Sequence, residues 1–350
     1  MTVGADSVRF MRNPCDIAKN LKEDYYFGRQ IISTVVRLGR DHMPAKANES
    51  APDAHRVAPQ SVAVVTGANS GIGRATALHL AERRYRVFGT VRSLDKAAKL
   101  VAKAGESGLT IDLVEMDVAD DESVRNGFAD ILRAAPQIDV LVNNAGIGGN
   151  GVTEESDFDL FHKSFNVNVV GAVRCLRQVL PGMRARRGGT IVNVTSILGR
   201  LATVAQSPYV ASKWALEGVS EALAQELAPF NIRVAIIEPG VTKSSIFHKN
   251  IDAPNATGAY NDHYERMFKF YAAGITNASD AIEVAHVIHH AITTDEPQLR
   301  YPCSWGGETL IAGRAKMSDQ QFVAMGAVDN ETYFEQFRDL LGLDLGLDLG

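Results

Sequence analysis

From Ser61 onward, short apolar runs alternate with longer stretches in which apolar residues recur at helical spacing. The run SVAVVTG (61–67) is almost wholly apolar and closes on glycine, as expected of a parallel strand covered on both faces. GIGRATALHLAERR (71–84) then carries a helical pattern. RVFGTV (86–91) predicts a second strand, Leu109–Met116 a third and IDVLVNNAG (138–146) a fourth. TIVNVTS (190–196) and IRVAIIEPG (232–240) follow, each behind a helical stretch, at 165–186 and 207–230 respectively. Residues 281–293 read as another helix and Leu299–Cys303 as a last strand. Strands that alternate with helices of this length predict βαβ units: an α/β chain with a parallel sheet, helices on both faces and right-handed crossovers.

The flanks break this rhythm. Residues 1–60 read as an N-terminal extension, with a short amphipathic helix over Tyr25–Arg40 and a linker rich in Ala, Pro, Asp and His at 41–60. A poorly ordered extension, or an upstream start in place of Met43, is the expectation ahead of a docking or targeting segment, and Asp16, Glu23 and Asp24 argue against a mitochondrial presequence. Residues 242–278 are less regular, mixing aromatic with small residues. The final LGLDLGLDLG is a small repeat expected to fray, closing a C-terminal extension over 306–350.

Composition narrows the function classes. The 36 Lys and Arg against 41 Asp and Glu give a net charge of −5, without the basic bias of a nucleic-acid binder. No 18-residue apolar run predicts a membrane span, and Asp6, Arg9 and Arg12 interrupt any signal-peptide core. Three scattered cysteines (Cys15, Cys175, Cys303) form no CxxC pair, so a reducing, cytoplasmic setting is expected. No metal site is expected either. His286, His289 and His290 lack a complete ligand set and read as ordinary core or surface histidines.

Candidate chemistry begins at Thr66–Gly73, T-G-A-N-S-G-I-G, between a strand and a helix. Glycines let the backbone turn and approach a pyrophosphate, and the helix N-terminus offers free N–H groups. Gly67, Asn69, Ser70, Gly71, Ile72 and Gly73 are therefore the candidate cradle. The spacing is G-x-x-x-G-x-G rather than the common G-x-G-x-x-G. The second strand ends Thr90-Val91-Arg92-Ser93, with no carboxylate for a ribose 2′-hydroxyl. The Arg92 guanidinium suits a 2′-phosphate, so NADP(H) is expected, with NAD(H) possible. Asp117, followed by Val118, stands where it can bond an adenine amino group, or equally cap the helix near Asp120. Asn143, Asn144, Ala145 and Gly146 end the fourth strand, where small residues admit the cofactor and the amides can tie strands together.

Tyr209 and Lys213 stand four apart in Y-V-A-S-K, on one face of a helix. Tyrosine is a poor acid–base at neutral pH unless a nearby cation favours its phenolate. Ser196, just past an apolar strand, sits where open α/β sheets bind ligands. Taken together, TGANSGIG, NNAG, Ser196, YVASK and EPG, in this order over about 180 residues, resemble the short-chain dehydrogenase/reductase family. The run FNVNVVGAVRCLRQVLPGM with GTVRSLDKA resembles its hydroxysteroid and retinol dehydrogenase branch. The resemblance implies a Rossmann-type, doubly wound sheet, mostly of seven parallel strands, filling a catalytic domain at 61–305. It implies nicotinamide-dependent carbonyl–alcohol chemistry with Tyr209 as general acid–base, Ser196 bonding the substrate oxygen, and Lys213 on the nicotinamide ribose. Asn168 matches the asparagine of a water-linked proton relay, although a buried Asn pinning a helix irregularity fits it too. Pro239, Gly240, Val241 and Thr242, with Ser244, match the segment that meets the nicotinamide carboxamide.

The same resemblance implies a substrate lid at about 242–278, lined by Ile246, Phe247, Tyr260, Tyr264, Met267, Phe268, Phe270 and Tyr271. Core packing serves equally for any one of these. The substrate is then a small carbonyl or alcohol, steroid-, retinoid- or lipid-like. A homodimer or homotetramer built on helices 165–186 and 207–230 is also implied. Two other readings weigh less. A sugar-nucleotide epimerase or dehydratase is disfavoured by the glycine spacing and the short C-terminal region. A non-catalytic NADP(H) sensor has no need of an intact Ser196–Tyr209–Lys213 set.

Overall fold

The computed structural model describes residues 61–243 and 254–345. The segment 1–60, with the helix expected at 25–40, lies outside the described residues, as do Ser244, Ile246, Phe247 and residues 346–350. The order is β1 (Val62–Val65), α1 (Gly71–Glu82), β2 (Arg86–Val91), α2 (Ala98–Glu106), β3 (Asp112–Glu115), α3 (Asp121–Ala134) and β4 (Val140–Asn143). Then α4 (Phe158–Phe165) runs through a π turn at Asn166–Val170 into α5 (Gly171–Arg186). Next come β5 (Gly189–Val194), α6 (Ser207–Leu227), β6 (Ile232–Pro239), α7 (Asn261–Asn277), α8 (Ala281–Thr293) and β7 (Arg300–Cys303). Helices α9 (Gly307–Lys316), α10 (Asp319–Ala324) and α11 (Asn330–Leu341) close the described chain.

The seven strands pair in parallel in the order β3-β2-β1-β4-β5-β6-β7. Winding reverses between β1 and β4, which opens a crevice at the carboxyl ends of the strands. Side chains alternate across the sheet. Val62 and Val64 of β1, Leu141 of β4 and Ile191 of β5 meet Phe128 and Ile131 of α3 and Leu176 and Met183 of α5. Ala63 and Val65, Val142, Val192 and Ile237 meet Leu80 of α1, Leu100 of α2 and Val284 and Ile288 of α8 on the other face. Both faces are covered, which is why the strands read as continuous apolar runs. Each fully buried Leu, Ile or Val contributes about 1.5–3 kcal/mol. The doubly wound, Rossmann-type expectation is met.

Two regions depart from the sequence reading. Most of 261–278 is the regular helix α7, not irregular chain. Beyond β7, helices α9–α11 build a third apolar cluster, where Leu310, Phe334, Phe337 and Leu341 pack on Ile197, Leu198, Val241 and Phe270. This cluster extends into the repeat expected to fray: Leu341 and Leu345 are buried in it. Among the described residues no helix is long and apolar enough to cross a membrane, and no group of His, Cys, Asp or Glu is arranged to hold a metal.

Candidate active site

The loop from β1 to α1 carries the glycine cradle. Gly67 and Gly71 adopt φ of +66° and +51°, which favour glycine. A Cβ on Gly73 would lie 2.4 Å from Asn144 Nδ2 and 2.5 Å from the Gly67 carbonyl oxygen. The helix and the β1 turn therefore approach closer than any side chain allows. Thr66 Oγ1 accepts from the Asn144 and Ala145 amides, both at 3.0 Å, and Asn144 Nδ2 donates to the Thr66 carbonyl at 2.8 Å. That lattice braces two strand ends that the crevice separates. The first turn of α1 contains no acidic residue, so its partial positive charge stands uncompensated by a carboxylate. A pyrophosphate fits this cradle, and Asn69, Ser70 and Ile72 lie within it.

Arg92 stands exposed just past β2. Asp120, not Asp117, caps α3 by accepting from the Ser123 amide, and Asp117 accepts from Ala119 N at 2.9 Å in a tight turn. Val118 is buried beneath it against Gly171. Asn143 does tie strands: its Nδ2 donates to Asn193 Oδ1 of β5 at 2.9 Å, and Asn193 Nδ2 donates to Ser220 of α6 at 2.8 Å.

Ser196 follows β5 in an extended conformation and opens a 3-10 turn at Ile197–Gly199, accepting from the Leu198 amide at 3.1 Å. Tyr209 lies in the first turns of α6, beside Ser196. Burial pushes its phenol up to about 12, and the neighbouring Ser196 hydroxyl opposes the rise. Lys213, one turn on, is 5% exposed. Its Nζ lies 5.6 Å from the Tyr209 ring centroid and donates to the Val194 carbonyl at 3.1 Å. Burial draws its ammonium down to about 8, and the Glu217 carboxylate opposes the fall.

Asn168 sits in the π turn. Its Nδ2 donates to the Ile147 carbonyl and to Ser212 Oγ, both at 2.9 Å, while its Oδ1 accepts from the Ile147 amide at 2.8 Å. The amide thus pins the helix irregularity to the loop after β4 through Ile147 and to α6 through Ser212. Gly240 leads the strand-end segment, and a Cβ there would lie 2.0 Å from the Trp305 carbonyl oxygen. Val241 N donates to the same oxygen. Thr242 is buried and donates to Ser304 Oγ at 3.0 Å.

Near Tyr209, the phenol of Tyr271 of α7 is pushed up by burial and then by the Tyr209 charge. Tyr271 Oη donates to Asn150 Oδ1 at 2.7 Å and accepts from Gln206 Nε2. The sequence reading missed Gln206 and Asn150, for which no motif signals. A cleft of about 510 Å³ beside this network is walled by Val152, Ala205, Ser207, Tyr260 and His263 among others. Of the residues expected to line the lid, Tyr264, Met267 and Phe270 are core, Phe270 packing on Trp305 and Phe337. Phe268 is 43% exposed on the outer side of α7.

A family model described as short chain dehydrogenase matches residues 61–255. The chain belongs to the short-chain dehydrogenase family. As a short-chain dehydrogenase it is an NAD(P)-dependent oxidoreductase acting on hydroxyl-bearing carbon. It is 37% identical over 263 residues to an uncharacterized oxidoreductase, YusZ, of Bacillus subtilis, covering 73% of this chain and 93% of that one. It is 42% identical over 272 residues to retinol dehydrogenase 8 of Bos taurus, covering 74% and 86%. A short-chain dehydrogenase from Streptomyces avermitilis superposes with a TM-score of 0.67 at 32% identity, covering 78% of this chain and all of that one. Related solved structures contain NADPH in one case and NAD in another.

Proposed function

We propose that this short-chain dehydrogenase is an NADP(H)-preferring enzyme that interconverts a carbonyl and an alcohol with Tyr209 as general acid–base. The observation that carries the reading is the convergence of Tyr209, Ser196 and buried Lys213 at the carboxyl end of β5, with the Lys213 ammonium on the Val194 carbonyl and 5.6 Å from the Tyr209 ring. The nicotinamide cofactor, when bound, supplies or accepts the hydride. In reduction Tyr209 gives its Oη proton to the carbonyl oxygen; in oxidation it takes the hydroxyl proton. Ser196 Oγ donates to that oxygen as negative charge gathers there. The Lys213 cation favours the phenolate that remains on Tyr209, and it is the candidate donor to ribose hydroxyls. Gly67, Gly71, Gly73 and the first turn of α1 would hold the pyrophosphate, and Pro239–Thr242 would face the carboxamide. Asn168 serves the site by fixing the loop after β4.

Arg92, exposed just past a β2 strand that ends without an acidic residue of its own, supports the NADP(H) preference. The apolar walls Val152, Ala205 and Val204, and the likeness to bovine retinol dehydrogenase 8, support an apolar substrate. Phe165, Val170 and Trp214, exposed on α4, the π turn and α6, support self-association through these helices. The test is loss of NADPH absorbance against ketosteroids, retinal and simple ketones, with Tyr209→Phe beside the parent. Turnover that vanishes in Tyr209→Phe bears the reading out, and the best panel member names the substrate class. Turnover that survives the substitution removes Tyr209 from the mechanism.

A further inference from the structure

We propose that Glu217, held by Arg300, is a positioning residue that keeps Lys213 charged behind Tyr209, as part of a buried ionic cluster joining the Lys213 helix, the Ser196 turn and the β6 end. The proposal rests on the reading of Tyr209 and Lys213 as the acid–base pair. Glu217 lies one turn past Lys213 on the same face of α6 and is 4% exposed. The turn opened by Ser196 rests on this stretch, for a Cβ on Gly199 would lie 2.8 Å from Glu217 Cγ and 3.1 Å from the Lys213 carbonyl oxygen. Arg300 of β7 donates from Nε to Glu217 at 3.0 Å and from Nη2 to Glu221 at 2.8 Å. The same Nε lies 3.5 Å from Glu238, which Arg200 holds at 3.0 Å.

Each member belongs to a different part of the machinery. Glu238 is 1% exposed and immediately precedes the Pro239–Thr242 segment. Arg200 follows the Ser196 turn, and Glu217 follows Lys213. One oxygen of each buried carboxylate, Glu217 Oε1 and Glu238 Oε2, has no hydrogen-bond partner. Stability alone gives little reason for such a cluster, because well-packed apolar residues commonly do as well as buried ion pairs. A role in the charge of the neighbouring site gives one.

The charges facing Glu217 are Lys213 and Glu221 on its own helix, Arg300 on β7, Glu238 on β6, and Arg200 through Glu238. The Cys303 thiol lies beyond Glu238, with Glu283 of α8 in turn near that thiol. Burial favours loss of the Lys213 proton and the Glu217 anion opposes it. Removing that anion makes deprotonation easier at Lys213 and at Tyr209 alike, so the sign does not depend on which of them titrates first. Carbonyl reduction uses the form with Tyr209 protonated and Lys213 charged, so its alkaline limb follows the first proton the pair loses and must move to lower pH.

The experiment is the pH profile of kcat/KM for NADPH-dependent reduction of the best carbonyl substrate. Parent, Glu217→Gln, Glu217→Asp and Tyr209→Phe are compared, with Tm and NADPH affinity recorded for each. Glu217→Gln is expected to move the alkaline limb down by about one pH unit, the size of effect one close charge exerts. Glu217→Asp, which keeps the charge, is expected to bring it back towards the parent. An unmoved limb in a folded, NADPH-binding Glu217→Gln overturns the proposal. Where Glu217→Gln does not fold, Arg300→Gln carries the test: the less compensated anion must move the limb up, and no upward movement overturns the proposal. Turnover that survives Tyr209→Phe sinks the acid–base reading itself, whereas a dead Tyr209→Phe beside an unmoved Glu217→Gln limb sinks only the role of Glu217.

Discussion

Gly73 is where the cofactor cradle is most exposed to a one-atom test. Its absent Cβ leaves α1 within reach of the Gly67 carbonyl and the Asn144 amide, at 2.5 and 2.4 Å from where that carbon would stand. Gly67 and Asn144 are themselves fixed, Asn144 by Thr66 and Gly67 by a left-handed φ, so neither yields cheaply. Gly73→Ala is therefore expected to weaken NADPH binding at least tenfold by fluorescence titration, while a fold carried by the apolar clusters keeps its circular dichroism spectrum. Unchanged affinity would mean the cradle is not the phosphate site. Ser196 offers a second residue-level outcome. As a donor to a developing oxyanion, Ser196→Ala is expected to lower kcat by about 10²–10³-fold with little change in NADPH affinity. A loss confined to KM would assign Ser196 to ground-state binding instead. These residues were legible in the sequence because backbone-driven chemistry leaves local marks: a glycine where only glycine fits, a hydroxyl at a strand end, and Tyr and Lys one turn apart. Glu217 was equally close, one turn past Lys213, but its meaning depends on Arg300, which lies 83 residues away in sequence. No local pattern carries that distance.

At the scale of elements, the central strands β1, β4, β5 and β6 were legible because each is short and apolar on both faces, whereas the edge strands β3 and β7, which carry Asp112, Glu115 and Arg300, were legible only from their place in the alternation. Helix α7 was not, although its buried positions Tyr264, Met267, Phe270 and Gly274 follow a helical period. The exposed Phe268 and Ile275 blur that stripe, and Gly274 reads as a breaker until Val241 is seen filling the space a Cβ would take. The π turn at Asn166–Val170 was invisible for a different reason: one extra residue within a continuous helix leaves the apolar spacing almost unchanged. Only the amide of Asn168 hinted at it. Helices α9–α11 were missed because their apolar faces are covered by α7 and the Ser196 turn, which are distant in sequence. Arg266 ties these layers together. It is buried, stacks on the Tyr333 ring at 4.3 Å, and donates to Asn330 Oδ1 and to the Gly326 and Val328 carbonyls. Arg266→Leu removes those part-buried bonds and the ring stacking and is expected to cost about 1–3 kcal/mol. A thermal melt that stays within a degree of the parent would show that α7 does not depend on this tie.

The whole molecule couples two helices, on the sheet face opposite α6, through a histidine cluster, and that coupling makes its stability depend on pH. His79 of α1 is buried, with His286 and His289 of α8 at ring-centroid distances of 4.6 and 5.4 Å. Its Nδ1 has no hydrogen bond and lies 3.4 Å from the Glu82 carboxylate. Burial, then repulsion from His286 and Arg83, holds the His79 pKa below the ordinary 6.5, and Glu82 only partly offsets this. His289 is lowered in the same way, by burial and then by His79, Arg83, His286 and His290. In the unfolded chain these imidazoles regain the ordinary value, so at pH below 6.5 the unfolded state binds more protons than the folded one. Stability contributed by keeping them neutral is thus fully present above pH 6.5 and is lost as the pH falls through that value towards the depressed folded pKa. The α1–α8 contact is part of the apolar layer that includes Leu80, Val284 and Ile288, so charging it loosens the sheet face rather than a peripheral loop. The parent is expected to lose Tm steadily between about pH 7 and pH 5. His79→Leu, which removes one proton-binding site and fills an apolar position, is expected to lose distinctly less over the same interval. Carboxylates that titrate lower, such as Asp121 and Asp329 with their depressed pKa values, act in both proteins and cancel in the comparison. Parallel Tm curves for the two proteins from pH 7 to pH 5 would assign the acid sensitivity to groups other than this cluster.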